Sequence, residues 1–128
     1  MNADERRYIN SLTEQVLSAA FEVSNTLGVG FLEKVYQRAL WRELGRRGIK
    51  SRMEAGLTVF YKGEDVGNYV ADLLVEDILI LELKCADSLA PEHTAQCLNY
   101  LRASNRNVCL LMNFQRPTME WKRVVREF

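Results

Sequence analysis

The chain holds a single histidine, His93, and that scarcity removes several chemistries at once. Zinc proteases with paired histidines and HNH-type nucleases are excluded by count. A Ser-His-Asp triad would have to use His93, and no local nucleophile motif accompanies it. Cys85, Cys97 and Cys109 are odd in number and lack CxxC or His-paired spacing, so small buried side chains are expected rather than a zinc site or disulfide framework. No apolar run approaches the roughly 18 residues of a membrane span. The charged start, Met1 to Arg7, is not followed by the apolar core of a signal peptide. A cytoplasmic protein without a membrane partner is the expectation. An excess of either charge is missing as well: 17 Lys and Arg balance 17 Asp and Glu. That counts against strong unaided binding to nucleic acid, whose affinity rests on Lys and Arg displacing counterions. It leaves a nucleic-acid enzyme open, because an acidic metal site can offset a basic rim. Local basic groups exist at Arg46, Arg47, Lys50 and Arg52, then Lys122, Arg123 and Arg126. Solvated helix ends and strand faces account for them as well as a binding rim does.

What is present suits one domain over residues 1–128, with 1–8 as a flexible N-terminal tail. A body of this size buries about two-thirds of its unfolded surface, enough for one core. Ile9, Leu12, Val16, Ala19, Ala20, Val23 and Leu27 recur at helical spacing, with Ser11 and Glu14 as a capping box and Gly28 as the stop. The spacing predicts a second helix from after Gly30 to about Gly45, with an apolar stripe through Leu32, Val35, Tyr36, Ala39, Leu40 and Leu44. Beyond Gly48 the period changes. Leu57–Tyr61 and Val66–Val75 read as strands joined by a turn over Lys62–Asp65. Ile78–Lys84 is a nearly continuous apolar run, as a strand covered on both faces requires. Pro91 opens a third helix to about Ala103, although Ala90 is a poor N-cap. Val108–Phe114 and an edge-like segment from Met119 to Val125 complete the chain. This order predicts an α/β sandwich around a mixed sheet of four to five strands.

Two charged residues interrupt the apolar run, Glu82 and Lys84, and their spacing of two places both on one sheet face. Asp72 lies on the preceding strand. If the hairpin brings it beside Glu82, two carboxylates ~4 Å apart repel by about 4 kcal/mol at an effective dielectric of 20. A raised pKa, the lysine or a divalent cation must then compensate, and oxygen-only ligands favour Mg²⁺ or Mn²⁺. Register sharpens the expectation. Asp72 opposite Glu82 needs an odd number of unpaired residues in the turn, so a three-residue connection, Glu76-Asp77-Ile78, or an equivalent bulge is predicted. A solvated Asp72 beside a Glu–Lys pair at a strand end accounts equally well for these three residues alone. His93, Gln96 and Tyr100 share one face of the third helix, and Glu33 and Tyr36 pair on the second. Exposed faces of amphipathic helices would look the same.

Taken together, Gly30-Phe31-Leu32-Glu33-Lys34-Val35-Tyr36, Ala71-Asp72-Leu73-Leu74, Glu82-Leu83-Lys84, His93 to Leu101 and Leu110 to Phe114 resemble the GxxExxY family, a small branch of the PD-(D/E)XK nuclease superfamily. Gln96-Cys97-Leu98-Asn99-Tyr100 is similar to the QxxxY element of RecB-type nucleases. The resemblance implies a restriction-endonuclease-like fold and metal-dependent hydrolysis of phosphodiester bonds, with DNA the favoured substrate. It implies that Asp72, Glu82 and the Leu83 carbonyl ligate Mg²⁺, with Mn²⁺ as substitute, and that Glu33 completes the site directly or through water. Lys84 would orient the attacking water and stabilise charge on the phosphate. Gln96 and Tyr100 would position Lys84 or the phosphate, and Tyr36 would support Glu33. A non-catalytic module that binds nucleic acid or a protein partner is the competing reading, and a subunit completed by a homodimer or partner is a third.

Overall fold

The computed structural model describes residues 1–128. Its elements are α1 (Ala3–Leu27), α2 (Glu33–Arg46), β1 (Ser51–Tyr61), β2 (Glu64–Val75), β3 (Leu79–Lys84), α3 (Pro91–Ser104), β4 (Val108–Asn113) and β5 (Glu120–Val125). The five strands form one sheet in the order β1-β2-β3-β4-β5. Only β3 and β4 pair in parallel, from Leu79↔Val108 to Lys84↔Asn113. A parallel pair needs a long crossover, and α3 supplies it.

Period-two alternation sorts the strands into two cores. Leu73, Val75, Leu79, Leu81, Leu83, Val108, Leu110 and Met112 pack with α1 and α2. Leu74, Ile80, Cys109, Leu111 and Val124 pack with Cys97, Tyr100 and Leu101 of α3. With helices on both faces, β3 has no solvent side to fill with polar residues, which is why its sequence runs almost unbroken in apolar side chains. No helix is long and apolar enough to cross a membrane.

Several boundaries differ from the sequence expectation. The first helix begins at Ala3, so most of the segment expected as a flexible tail is helical. Asn2 is the N-cap, its side chain accepting from the Glu5 amide, and Asp4 and Glu5 sit where the helix dipole favours acids. An apolar stripe marks only where a helix is buried, so it cannot report these solvated turns. Ser11, expected in a capping box, lies inside the helix. β1 starts six residues before Leu57, drawn out by pairing from Ser51↔Val75 onward. The β1–β2 turn is tighter than expected, because Lys62 and Gly63 both take positive φ and Tyr61 pairs with Glu64. The register shift after Val59 leaves Val66 as a bulge. Glu76-Asp77-Ile78 forms the three-residue β2–β3 connection that the register required. Glu76 and Asp77 take left-handed backbone there, and the Ile78 amide donates to the Val75 carbonyl at 2.9 Å.

Candidate active site

The β2–β3 ladder is regular for three pairs, Val75↔Leu79, Leu74↔Ile80 and Leu73↔Leu81. The next pair in register would be Asp72 and Glu82, and main-chain pairing stops there. Side chains take over its hydrogen bonds. The Asp72 amide donates to Glu82 Oε1 at 3.3 Å, and the Leu83 amide donates to Asp72 Oδ2 at 2.7 Å. The Asp72 carbonyl accepts from Gln37 Nε2 at 2.9 Å. On the opposite side of β2, pairing passes from Met53↔Leu73 to Ala55↔Ala71 and skips Glu54, whose φ is 53°. A non-glycine residue held there costs about 1–3 kcal/mol and persists only where its surroundings over-determine it. Asp72 therefore sits where β2 leaves β3 and where its pairing with β1 lapses for one residue.

Glu82 is buried, at 3% exposure. Burial first, and then the Asp72 carboxylate, push its carboxyl up to about 9, while Lys84 pulls the other way. Lys84 Nζ stands 3.7 Å from Glu82 Oε2 and donates to Gln96 Oε1 at 2.9 Å. Strand β3 and helix α3 thus meet through one ammonium. Tyr100, one helical turn beyond Gln96, is also buried, and its phenol is held well above its ordinary range by burial, then by Glu82 and Asp72. His93 does not join this group. Its Nδ1 accepts from the Ala90 amide at 3.0 Å, serving the helix start that Ala90 cannot cap with its own side chain.

Glu33 and Asp72 line the same open cleft of about 230 Å³, together with Lys34, Gln37, Glu54, Val70 and Leu83. Glu33 Oε2 accepts from the Cys85 amide at 3.2 Å, and no three His, Cys, Asp or Glu side chains are arranged to hold a metal. In this arrangement the Glu33 carboxylate serves the Cys85 amide. Tyr36 does not support Glu33. Its hydroxyl donates to the Gly28 carbonyl at 2.6 Å and accepts from the Phe31 amide at 3.3 Å, while its ring stacks on Phe114. It braces the turn before α2, where Gly28 and Gly30 take positive φ.

Two residues beyond the sequence expectation shape the site. Gln37 is buried on the apolar face of α2, and a polar interruption of that stripe was the available signal. Asn113 is fully buried at the end of β4. Its side chain accepts from the Ala86 amide at 3.1 Å and donates to the Ala86 carbonyl at 2.8 Å, pinning the chain just after Lys84. It lies within the Leu110–Phe114 segment, whose apolar run gives no sign of this contact.

As a donor set, Asp72 and Glu82 are two oxygen ligands held together against burial and mutual repulsion. That fits a divalent cation of the oxygen-preferring kind, held by two carboxylates with its remaining positions filled by carbonyl or water oxygens. Larger hollows lie elsewhere, about 610 Å³ near Trp41 and about 480 Å³ beside Tyr8, away from this pair.

Residues 10–124 match the PD-(D/E)XK nuclease superfamily, and the chain belongs to it. No curated protein sequence is similar enough to register as a relative. Among solved structures, the crystal structure of SSO0001 is similar at TM-score 0.57 and 14% identity, covering 74% of this chain and 50% of that one. An alkaline exonuclease from Laribacter hongkongensis, LHK-Exo, is similar at TM-score 0.52 and 17% identity, covering 73% of this chain and 55% of that one. The chain spans about half the length of both. At these identities the likeness is one of fold, and the fold is restriction-endonuclease-like.

Proposed function

We propose that this chain is a metal-dependent nuclease that hydrolyses phosphodiester bonds, with DNA as substrate. One observation carries the reading: the Asp72 and Glu82 carboxylates meet where the ladder opens, with the Lys84 ammonium 3.7 Å from Glu82. Asp72 and Glu82 would hold Mg²⁺, with Mn²⁺ as substitute, the Leu83 carbonyl as a further ligand and Glu33 acting through water. When bound, the cation supplies a Lewis acid that lowers the pKa of a water and neutralises charge building on the phosphate. Lys84 orients the attacking water and donates to a non-bridging phosphate oxygen as the ester bond to phosphorus breaks. Gln96 fixes the ammonium at 2.9 Å, and without that partner a four-carbon stem would sample many positions. Tyr100 stays protonated, so it serves as a donor or contact surface and not as a base. Within the superfamily we assign the chain to the GxxExxY branch, on Gly30, Glu33 and Tyr36, with Gln96 and Tyr100 as a QxxxY element.

The even balance of 17 basic and 17 acidic residues supports a second reading, a nuclease-like module that binds nucleic acid or a protein partner without cutting. One assay separates the two: incubation of labelled single-stranded, duplex and branched DNA with and without Mg²⁺, with Lys84→Ala as control. Mg²⁺-dependent cleavage abolished in Lys84→Ala supports the nuclease. Binding without cleavage under every metal condition selects the module.

A further inference from the structure

The chain is neutral overall, yet its cations are unevenly spread. Lys34, Arg38, Arg42 and Arg46 follow one another at intervals of four along α2, and Lys50 continues the interval just past its end. All five are exposed, and none takes part in an ion pair. Most other basic residues have structural partners. Arg47 pairs with Glu43 at 2.8 Å, Arg52 and Arg106 with Asp77 at 3.5 and 2.9 Å, and Lys122 donates to Thr94 Oγ1 at 3.3 Å. Arg126 donates to Asn105 and Asn107, both at 3.0 Å. Side chains four apart form a continuous ridge on a helix, and like charges along it oppose helix formation. Beyond the Arg42 guanidinium over the Trp41 ring at 5.6 Å, the fold gains nothing from such a ridge, since the buried face of α2 is made by Tyr36, Gln37, Leu40 and Leu44.

The ridge has a direction. Lys34, at its start, lines the cleft that holds Asp72, while Arg42, Arg46 and Lys50 border the hollow of about 610 Å³ at the other end of α2. Each step of four residues advances about 6 Å along the axis, so the helical part spans about 18 Å. A phosphodiester strand is a row of single negative charges at comparable spacing, and each cation that meets one releases a condensed counterion.

We infer that the Lys34–Arg38–Arg42–Arg46 ridge, continued by Lys50, is a track for the phosphate backbone of one DNA strand leading into the cleft lined by Glu33 and Asp72. The inference rests on the nuclease reading for its ligand, but it concerns binding and is tested without cleavage. In the full chain carrying Lys84→Met, the affinity for a fluorescein-labelled single-stranded oligonucleotide and for its duplex is measured across a salt series. Each ridge contact contributes roughly 0.7 to the log–log salt slope on a single strand and roughly 0.9 on a duplex. Arg38→Gln/Arg42→Gln/Arg46→Gln should lower the slope by about 2 to 3 and weaken binding at least about tenfold near 0.1 M salt, whatever the base sequence. Gln keeps helix propensity close to that of Arg, and circular dichroism melting checks that the fold is intact. Restoring charge as Arg38→Lys/Arg42→Lys/Arg46→Lys should recover the slope. Arg7→Gln, an exposed cation on α1, should leave it unchanged. An unchanged slope in the Gln triple, or an equal loss in Arg7→Gln, overturns the track. So does binding to phosphatidylserine vesicles or RNA with none to either DNA. Ridge-dependent DNA binding by a wild type that never cuts would uphold the track while removing the nuclease, and cutting with a ridge-independent slope would do the reverse.

Discussion

The two ends of the β2–β3 pair use one register in opposite ways. At the turn end, Val75↔Leu79, Leu74↔Ile80 and Leu73↔Leu81 are paired through the main chain, and all six side chains are buried. At the open end, Asp72 and Glu82 continue the register but exchange main-chain rungs for bonds from their own carboxylates. The first arrangement hides the backbone and contributes stability through apolar burial. The second leaves carboxylate oxygens beside a cleft and tolerates a buried acid and a left-handed Glu54. A few residues of one hairpin therefore divide into a part that holds the fold and a part that the fold must hold.

The sharpest break of that comparison is functional. Lys84→Met keeps most of the stem and removes the ammonium, which cannot ligate a cation while protonated. Cleavage should fall by at least about 10²-fold, the scale of losing one transition-state donor, with Mn²⁺ binding retained. Asp72→Asn should lose both. Calorimetric Mn²⁺ titration beside a cleavage assay reads the two effects, and turnover at the wild-type rate in Lys84→Met would remove its catalytic role. The turn end should answer in the other currency. Leu81→Ala, in the wholly buried ladder, should cost about 2–5 kcal/mol in urea unfolding, with Mn²⁺ affinity of the folded protein near that of wild type. A large change in Mn²⁺ affinity there would show that the two ends are not separable.

Much of this division is legible in the amino-acid sequence. Parity alone demanded an odd connection to bring Asp72 opposite Glu82, and Glu76-Asp77-Ile78 provides it. The two charges interrupting β3 marked Glu82 and Lys84, because a strand covered on both faces tolerates charge only with a partner. The ladder break was not legible. It depends on Gln37, 35 residues away in sequence, reaching the Asp72 carbonyl, and on a backbone torsion at Glu54 that its side chain does not advertise. Nor was the true position of Tyr36. Its spacing from Glu33 suggested a partnership, but a phenol on the core face of α2 found the Gly28 carbonyl first. Long-range hydrogen bonds leave no periodic trace.

Two smaller effects follow from how the open end is held. In the metal-free protein Glu82 titrates near 9 against an ordinary 4.5. The folded state keeps a proton that the unfolded chain releases, so this group's contribution is full below about 4.5 and is lost as pH rises through about 9. Stability without metal should fall with pH across that window, and Glu82→Gln, neutral throughout, should flatten the decline. Equal slopes in the two proteins, by urea unfolding at several pH values, would place the proton elsewhere. Gln37→Leu should then cost about 1–3 kcal/mol by leaving the Asp72 carbonyl unpaired. Because Asp72 is displaced and not removed, Mn²⁺ affinity should weaken as well, which a purely structural glutamine would not cause.

The smallest effect tests whether the opening is strained or relaxed. Glu54 pairs a side chain with φ of 53°, where an L-residue pays about 1–2 kcal/mol for the contact of its Cβ with the backbone. Glycine escapes that contact but gives up about 0.5–1 kcal/mol of conformational entropy in a strand. Glu54→Gly should therefore be stabilising by no more than about 1.5 kcal/mol, a rise in Tm of at most about 6 °C at this chain length. Glu54→Ala supplies the control. It removes the same carboxylate from beside Asp72 but keeps the Cβ, so any gain shared by both variants belongs to charge and only the surplus of Gly over Ala belongs to backbone. Thermal unfolding of the three proteins at one pH separates these contributions. A positive surplus places strain at the point where the pairing of β2 with β1 lapses. If Ala exceeds Gly by the full entropic loss of about 0.5–1 kcal/mol, the backbone at Glu54 is relaxed, and the open end is held by its side-chain hydrogen bonds alone.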